Sequence, residues 1–88
     1  MPTATLSDGT KLTTASNRRF VTFTIADDSR VTVQKRTDNR ATAAGNHADH
    51  CRRGFLRIVT VDLRPFGTIN RDTGRYVPAV LWDSAEQR

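Results

Sequence analysis

His47, His50 and Cys51 stand within five positions of one another in the stretch GNHADHCRRG, residues 45–54, and they are the only histidines and the only cysteine of the chain. Imidazole and thiolate bind zinc, and they also pair as base and nucleophile, so a metal site and cysteine catalysis are the chemistries to test first. On a helix His47 and His50 are three apart and His47 and Cys51 four apart, so all three could reach one point. Ligand count weighs against a metal: a structural zinc takes four protein ligands and a catalytic one three, and no second CxxC or HxxxH pair occurs. Only the remote Asp62, Asp83 or Glu86 could complete the set. A cysteine at the most apolar position of a helix is also poorly placed to be an exposed thiolate. The expectation is that Cys51 is a small core residue beneath the helix and that His47 and His50 face solvent, with no metal, cofactor or catalytic residue. No phosphate-binding glycine loop, paired-carboxylate signature or nucleophile elbow occurs elsewhere.

The basic residues are the second candidate. Arg18, Arg19, Lys35, Arg36 and Arg40 flank a β-hairpin pattern, which is expected to place Arg19 beside Lys35 and Arg18 beside Arg36 at its open end, with Arg40 close by. Opposed like charges cost stability, so such a gathering implies acidic side chains or an anionic ligand that meets them. Phe20 breaks the polar side of its strand and is the one residue suited to stacking, unless the N-terminal hairpin covers it. The company a nucleic-acid site usually keeps is missing: there is no aromatic RNP-like sheet, GxxG loop, helix-turn-helix pair or zinc finger.

Positioning these residues falls to a small fold. Eighty-eight residues with 36% apolar side chains make one domain and one modest core, since a chain of this size buries only about two-thirds of its unfolded surface. Three turn signals recur. In TATLSDGTKL a three-residue loop, Ser7-Asp8-Gly9, pairs Leu6 with Thr10 and Ala4 with Leu12, with Gly9 left-handed. In RRFVTFTIADDSRVTVQKR the alternation Val21, Phe23, Ile25 continues at Val31 and Val33 across an Asp27-Asp28-Ser29 loop. In INRDTGRYVPAVLW the loop Asp72-Thr73-Gly74 sets Ile69 against Val77, and Pro78, which cannot donate to a ladder, puts the last strand at a sheet edge.

Between the second and third hairpins, Ala41, Ala44, Ala48 and Cys51 recur at helical spacing and form one narrow apolar stripe. Thr37 or Asp38 serves as N-cap and Gly54 as the residue after the C-cap, so the helix is expected over about 38–53. The run FLRIVTVDL that follows is apolar on both faces, as a central strand is. The expected fold is α+β: a mostly antiparallel sheet of hairpins with one helix packed on one face through that stripe, in the order β-β-β-β-α-β-β-β. Residues 1–2 and 84–88 are expected to be disordered.

The formal charge is +5 and the pI about 10.7, which favours acidic partners and excludes a mimic of nucleic acid. Twelve arginines against two lysines is the bias that GC-rich codons impose, and it points to a GC-rich bacterium or one of its phages. A lone cysteine forms no internal disulfide, and neither a signal peptide nor an apolar span is evident. The chain therefore reads as a small non-enzymatic cytoplasmic protein, in the host cytoplasm if phage-encoded. It is expected to engage an acidic or mixed protein surface through Arg18, Arg19, Phe20, Lys35, Arg36 and Arg40, with no membrane association. A DNA- or RNA-binding domain using the same residues is the alternative.

Overall fold

The computed structural model describes residues 3–14, 18–54, 56–64, 69–70, 72 and 74–85. Thr3–Thr5 (β1) and Lys11–Thr13 (β2) pair as a hairpin, with Ala4 opposite Leu12. The Leu6 amide donates to Thr10 O at 2.8 Å, and Gly9 adopts φ 89°, so the three-residue bulged turn forms as expected. Phe20–Ile25 (β3) pairs antiparallel with Val31–Thr37 (β4), Ile25 lying opposite Val31. Arg40–Arg52 (α1) follows, then Arg57–Asp62 (β5), Ile69–Asn70 (β6), Arg75–Tyr76 (β7) and Ala79–Asp83 (β8). The fold is α+β, with antiparallel pairing throughout.

A four-stranded sheet in the order β4-β3-β5-β8 forms the centre of the fold. Both inner strands are buried along most of their length, as the apolar character of both faces of β5 implies. One face carries Val21, Phe23, Ile25, Val59 and Val61, closed by Ala4, Leu6 and Leu12 of the first hairpin. A fully buried leucine contributes roughly 1.5–3 kcal/mol when removed from water, so the short β1–β2 hairpin is held by Leu6 and Leu12 rather than by its few backbone bonds. The other face, with Thr22, Thr24, Ile58 and Thr60, is covered by α1, which packs against β3, β4 and β5.

Four expectations are corrected. The last expected strand runs as two segments, β7 and β8, on either side of Val77-Pro78, and Ile69 lies opposite Tyr76 rather than Val77. Arg75 pairs with Asn70, and Gly74 just before it has φ 67°. β8 does lie at a sheet edge. The N-cap is Asn39, whose side chain accepts from the Thr42 amide at 3.0 Å; Thr37 instead accepts from the Asn39 amide, and Asp38 turns away towards Arg18 and Arg19. At the other helix end Gly54 has φ 80°, as a residue after the C-cap requires. Ser84, expected in a disordered tail, is pinned: its amide donates to Ile58 O and its hydroxyl accepts from the Ile58 amide. The expected disorder at 1–2 and 86–88 lies outside the described residues.

The fourth correction concerns the helix face. Ala43, His47 and His50 are buried, while Ala41, Ala44, Ala48 and Cys51 are exposed. The spacing of the buried stripe is the expected one, moved back by one residue, which turns it by about 100° around the helix. Hydropathy picked the wrong side because the sheet beneath is lined with threonine hydroxyls. A histidine both fills the space over them and exchanges a hydrogen bond, which alanine cannot do and cysteine does only weakly.

Candidate functional site

The structure divides the six expected contact residues among three places. Arg18 and Arg19 precede β3 and face acids. Arg18 Nη1 lies 2.9 Å from Asp38 Oδ2, and the Arg19 amide donates to Asp38 Oδ1 at 2.8 Å. These bonds, Arg18 first and the Arg19 amide second, hold the Asp38 carboxyl below the usual carboxylate range. The Arg19 guanidinium donates through Nε and Nη2 to both oxygens of the buried Asp62, at 2.9 Å each. The same group lies over the Phe20 ring, 4.9 Å from its centroid. Phe20 is 3% exposed and, by strand alternation, sits on the helix face rather than under the first hairpin, so it offers no free stacking face. Arg19 and Phe20 are thus tied to Asp62 and to each other within the fold.

The expected opposition of Arg19 to Lys35 and of Arg18 to Arg36 does not form. Lys35 lies opposite Thr22 and Arg36 opposite Val21. Counted outward from Ile25 and Val31, an unbroken ladder already brings Lys35 opposite Val21, and a bulge between the Thr22 and Phe23 pairings moves it one residue further. The acids that answer Arg18 and Arg19 are therefore Asp38 and Asp62.

Arg40 is also removed from the group. Lys35, Thr22, Thr60 and Trp82 form one row across the sheet. Arg40 stacks on Trp82, 5.6 Å from the ring centroid, at the β8 edge, three strand spacings or about 14 Å from β4. Beneath it the His47 ring packs at 5.8 Å from Trp82. His47 Nδ1 lies 2.9 Å from Thr60 Oγ1, which lies 3.1 Å from Thr22 Oγ1. His50 Nδ1 donates to Asn46 O at 2.8 Å. The two histidines are thus committed to the helix–sheet interface, whereas Cys51, the next residue after His50, is exposed. Among the described residues no three His, Cys, Asp or Glu side chains cluster as metal ligands.

Lys35 and Arg36 remain. They are adjacent on β4, an outer strand of the sheet, and therefore point to opposite faces of it. Both are exposed, as is Arg30 at the start of the strand, and none of the three makes an ion pair with a described residue. On the helix side of this edge lies an open groove of about 480 Å³, lined by Ile25, Arg30, Thr32, Gln34, Gly54 and Leu56 among others. Leu56 is 61% exposed. The Gln34 amide donates to Thr24 Oγ1 at 2.9 Å and fixes the groove floor.

Sequence reasoning missed this groove. Leu56 sits in an apolar run that reads as strand, but β5 begins at Arg57 and leaves it outside the sheet. Also missed was the cluster in which Arg57 donates to Asp83 Oδ1 at 3.0 Å and to Asp8 Oδ2 at 2.6 Å, fastening the first hairpin's turn to the sheet. Its members are 26 and 49 residues apart, so no local pattern announces them. Comparison of the chain with protein-family models, curated proteins and solved structures found no match.

Proposed function

We propose that this chain is a small non-enzymatic binding protein that engages a partner protein through the basic outer edge formed by β4. It would act in the cytoplasm as an accessory protein of a bacteriophage or a GC-rich bacterium. The observation that carries the reading is the contrast among the cations. Arg18, Arg19 and Arg57 are answered by acids of the chain itself, whereas Lys35 and Arg36 are exposed on an outer strand without an ion pair to any described residue. Charges left in this way steer an acidic partner and set its register. Localisation rests on a coarser fact: among the described residues, no helix is long and apolar enough to cross a membrane.

The same cations would also meet phosphates, so the reading has to be separated from nucleic-acid binding. A protein that neutralises several phosphates loses affinity steeply and linearly with salt on logarithmic axes, and binds any long duplex or strand to some degree. With Phe20 buried under Arg19 and the cations divided between edges, the expectation is no better than high-micromolar binding to random duplex, single-stranded DNA or RNA near physiological salt, the level of non-specific contact. Fluorescence anisotropy at two salt concentrations checks this. Sub-micromolar affinity abolished by Lys35→Glu with Arg36→Glu would establish the nucleic-acid reading instead.

A further inference from the structure

β4 has an outer edge whose backbone groups can be assigned from the hairpin turn. The Ala26 amide donates to Arg30 O, and the Ser29 amide to Ala26 O. Ala26–Arg30 is therefore a hydrogen-bonded position, and in an antiparallel ladder such positions alternate. Ile25–Val31 and Phe23–Val33 are then the non-bonded pairs, and the N–H and C=O groups of Val31 and Val33 point away from β3. An outer strand with a row of unused donors and acceptors is a template for one more strand.

The opposite edge is a poorer template. β8 has Pro78 just before it, carries a register shift within its five residues, and lies against β1. β4 has seven residues, and Val31 is 38% exposed. Beside it, on the side to which Thr24, Thr32 and Gln34 project, lies the groove edged by Leu56. In an added strand every second side chain projects to that side, so one of them would enter the groove.

Building on the partner-protein reading above, we propose that the partner supplies an extended segment that pairs with the outer edge of β4 as a fifth strand. The segment carries acidic residues at the end that meets Lys35 and Arg36, and an apolar residue that seats against Leu56. Its other end is neutral or basic, because Asp27 and Asp28 stand at the hairpin tip. A second copy of the chain is a worse occupant. β4 contains no acid, so a β4–β4 ladder would collect two Lys35 and two Arg36 side chains with nothing between them, and like charges in a ladder are destabilising.

The edge can be blocked without touching the charges. Proline is tolerated where a strand's N–H faces outward, and it removes the donor an added strand needs. Val33→Pro and Val31→Pro should therefore fold and leave the β3–β4 ladder intact. The probe is a capped peptide as long as β4 with valine at alternate positions, glutamate between them at one end and threonine between them at the other, titrated into isotope-labelled protein and followed by amide chemical shifts. A control peptide of equal charge carries proline at alternate positions and cannot pair as a strand. The expected result is that the alternating peptide shifts the Val31 and Val33 amides and slows their exchange with solvent. Either proline variant should weaken this binding at least about tenfold, as should Lys35→Glu with Arg36→Glu. Equal binding of both peptides, sensitive to charge reversal but not to Val33→Pro, would overturn strand addition and leave a basic protein-binding surface standing. No shift at β4 with either peptide at millimolar concentration would overturn both.

Discussion

Arg57 holds two carboxylates at once, and the stability of the molecule in acid follows from that. Asp83 has a side chain only 1% exposed, with Arg57 as its chief partner, and Arg57 keeps its carboxyl below the ordinary range. Asp8 is held lower too, by Arg57 first and by the Thr10 amide second. A group whose folded pKa is depressed contributes stability that is present above its unfolded value and is lost as pH falls towards the folded one. The unfolded value for aspartate is about 3.9, so the melting temperature should hold from neutrality to about pH 5 and drop below about pH 4. Asp83→Ala leaves a guanidinium with little access to water and should cost about 3 kcal/mol at neutral pH. Thermal unfolding across this range checks both, and a parent profile flat to pH 2 would contradict them. His47 carries a second expectation. Its ring bonds to Thr60 and packs on Trp82, so His47→Ala should cost roughly 2–3 kcal/mol as a buried truncation that also removes one of the two hydrogen bonds of the Thr60 hydroxyl. Cys51→Ser, on the exposed side, should fall within about 0.5 kcal/mol; equal effects in denaturant melts would return Cys51 to the core.

At the scale of elements, the helix makes the same distinction without histidine. Ala43 is 1% exposed and faces the sheet, so Ala43→Leu should be overpacked and lose about 1–3 kcal/mol. Ala44 faces solvent, and Ala44→Leu should melt within about 0.5 kcal/mol of the parent. The reverse order would restore the alanine stripe. What could be read in advance, and what could not, divides along the range of the forces involved. The first two hairpins were legible because alternation and turn residues are local: one register puts Ala4 with Leu12 and Ile25 with Val31, and Gly9 allows the turn. The helix was legible to within two residues at its start and one at its end, for the same reason. Its face was not, because burial was decided by Thr22 and Thr60, which are distant in sequence and offer hydroxyls rather than methyls alone. The bulge in β4 has no local marker, yet it helps set where every cation beyond Gln34 comes to lie. Asp38, Asp62 and Asp83 find their arginines only when the sheet is assembled, so of the basic hairpin end read from sequence, Arg18 and Arg19 are taken up in internal ion pairs.

The whole molecule is a sheet with a hairpin on one face and a helix on the other, which leaves its outer edges as the places where further chain can be added. The net charge of +5 is unevenly used. Arginines at the start of β3 and the start of β5 tie the layers together, and β4 carries cations that nothing in the described residues answers. One basic edge fits the proposed recognition of a single partner better than general attraction to polyanions, which would be served by cations gathered on one face. The most direct measurement is retention of partners from a nuclease-treated lysate of the source cell, by immobilised parent and by immobilised Lys35→Glu with Arg36→Glu, each first shown to melt like the other. The expected result is one protein held by the parent in near-stoichiometric amount, insensitive to nuclease and lost from the charge-reversed variant. Retention that vanishes with nuclease, or that is the same for both, would contradict a partner protein bound through Lys35 and Arg36.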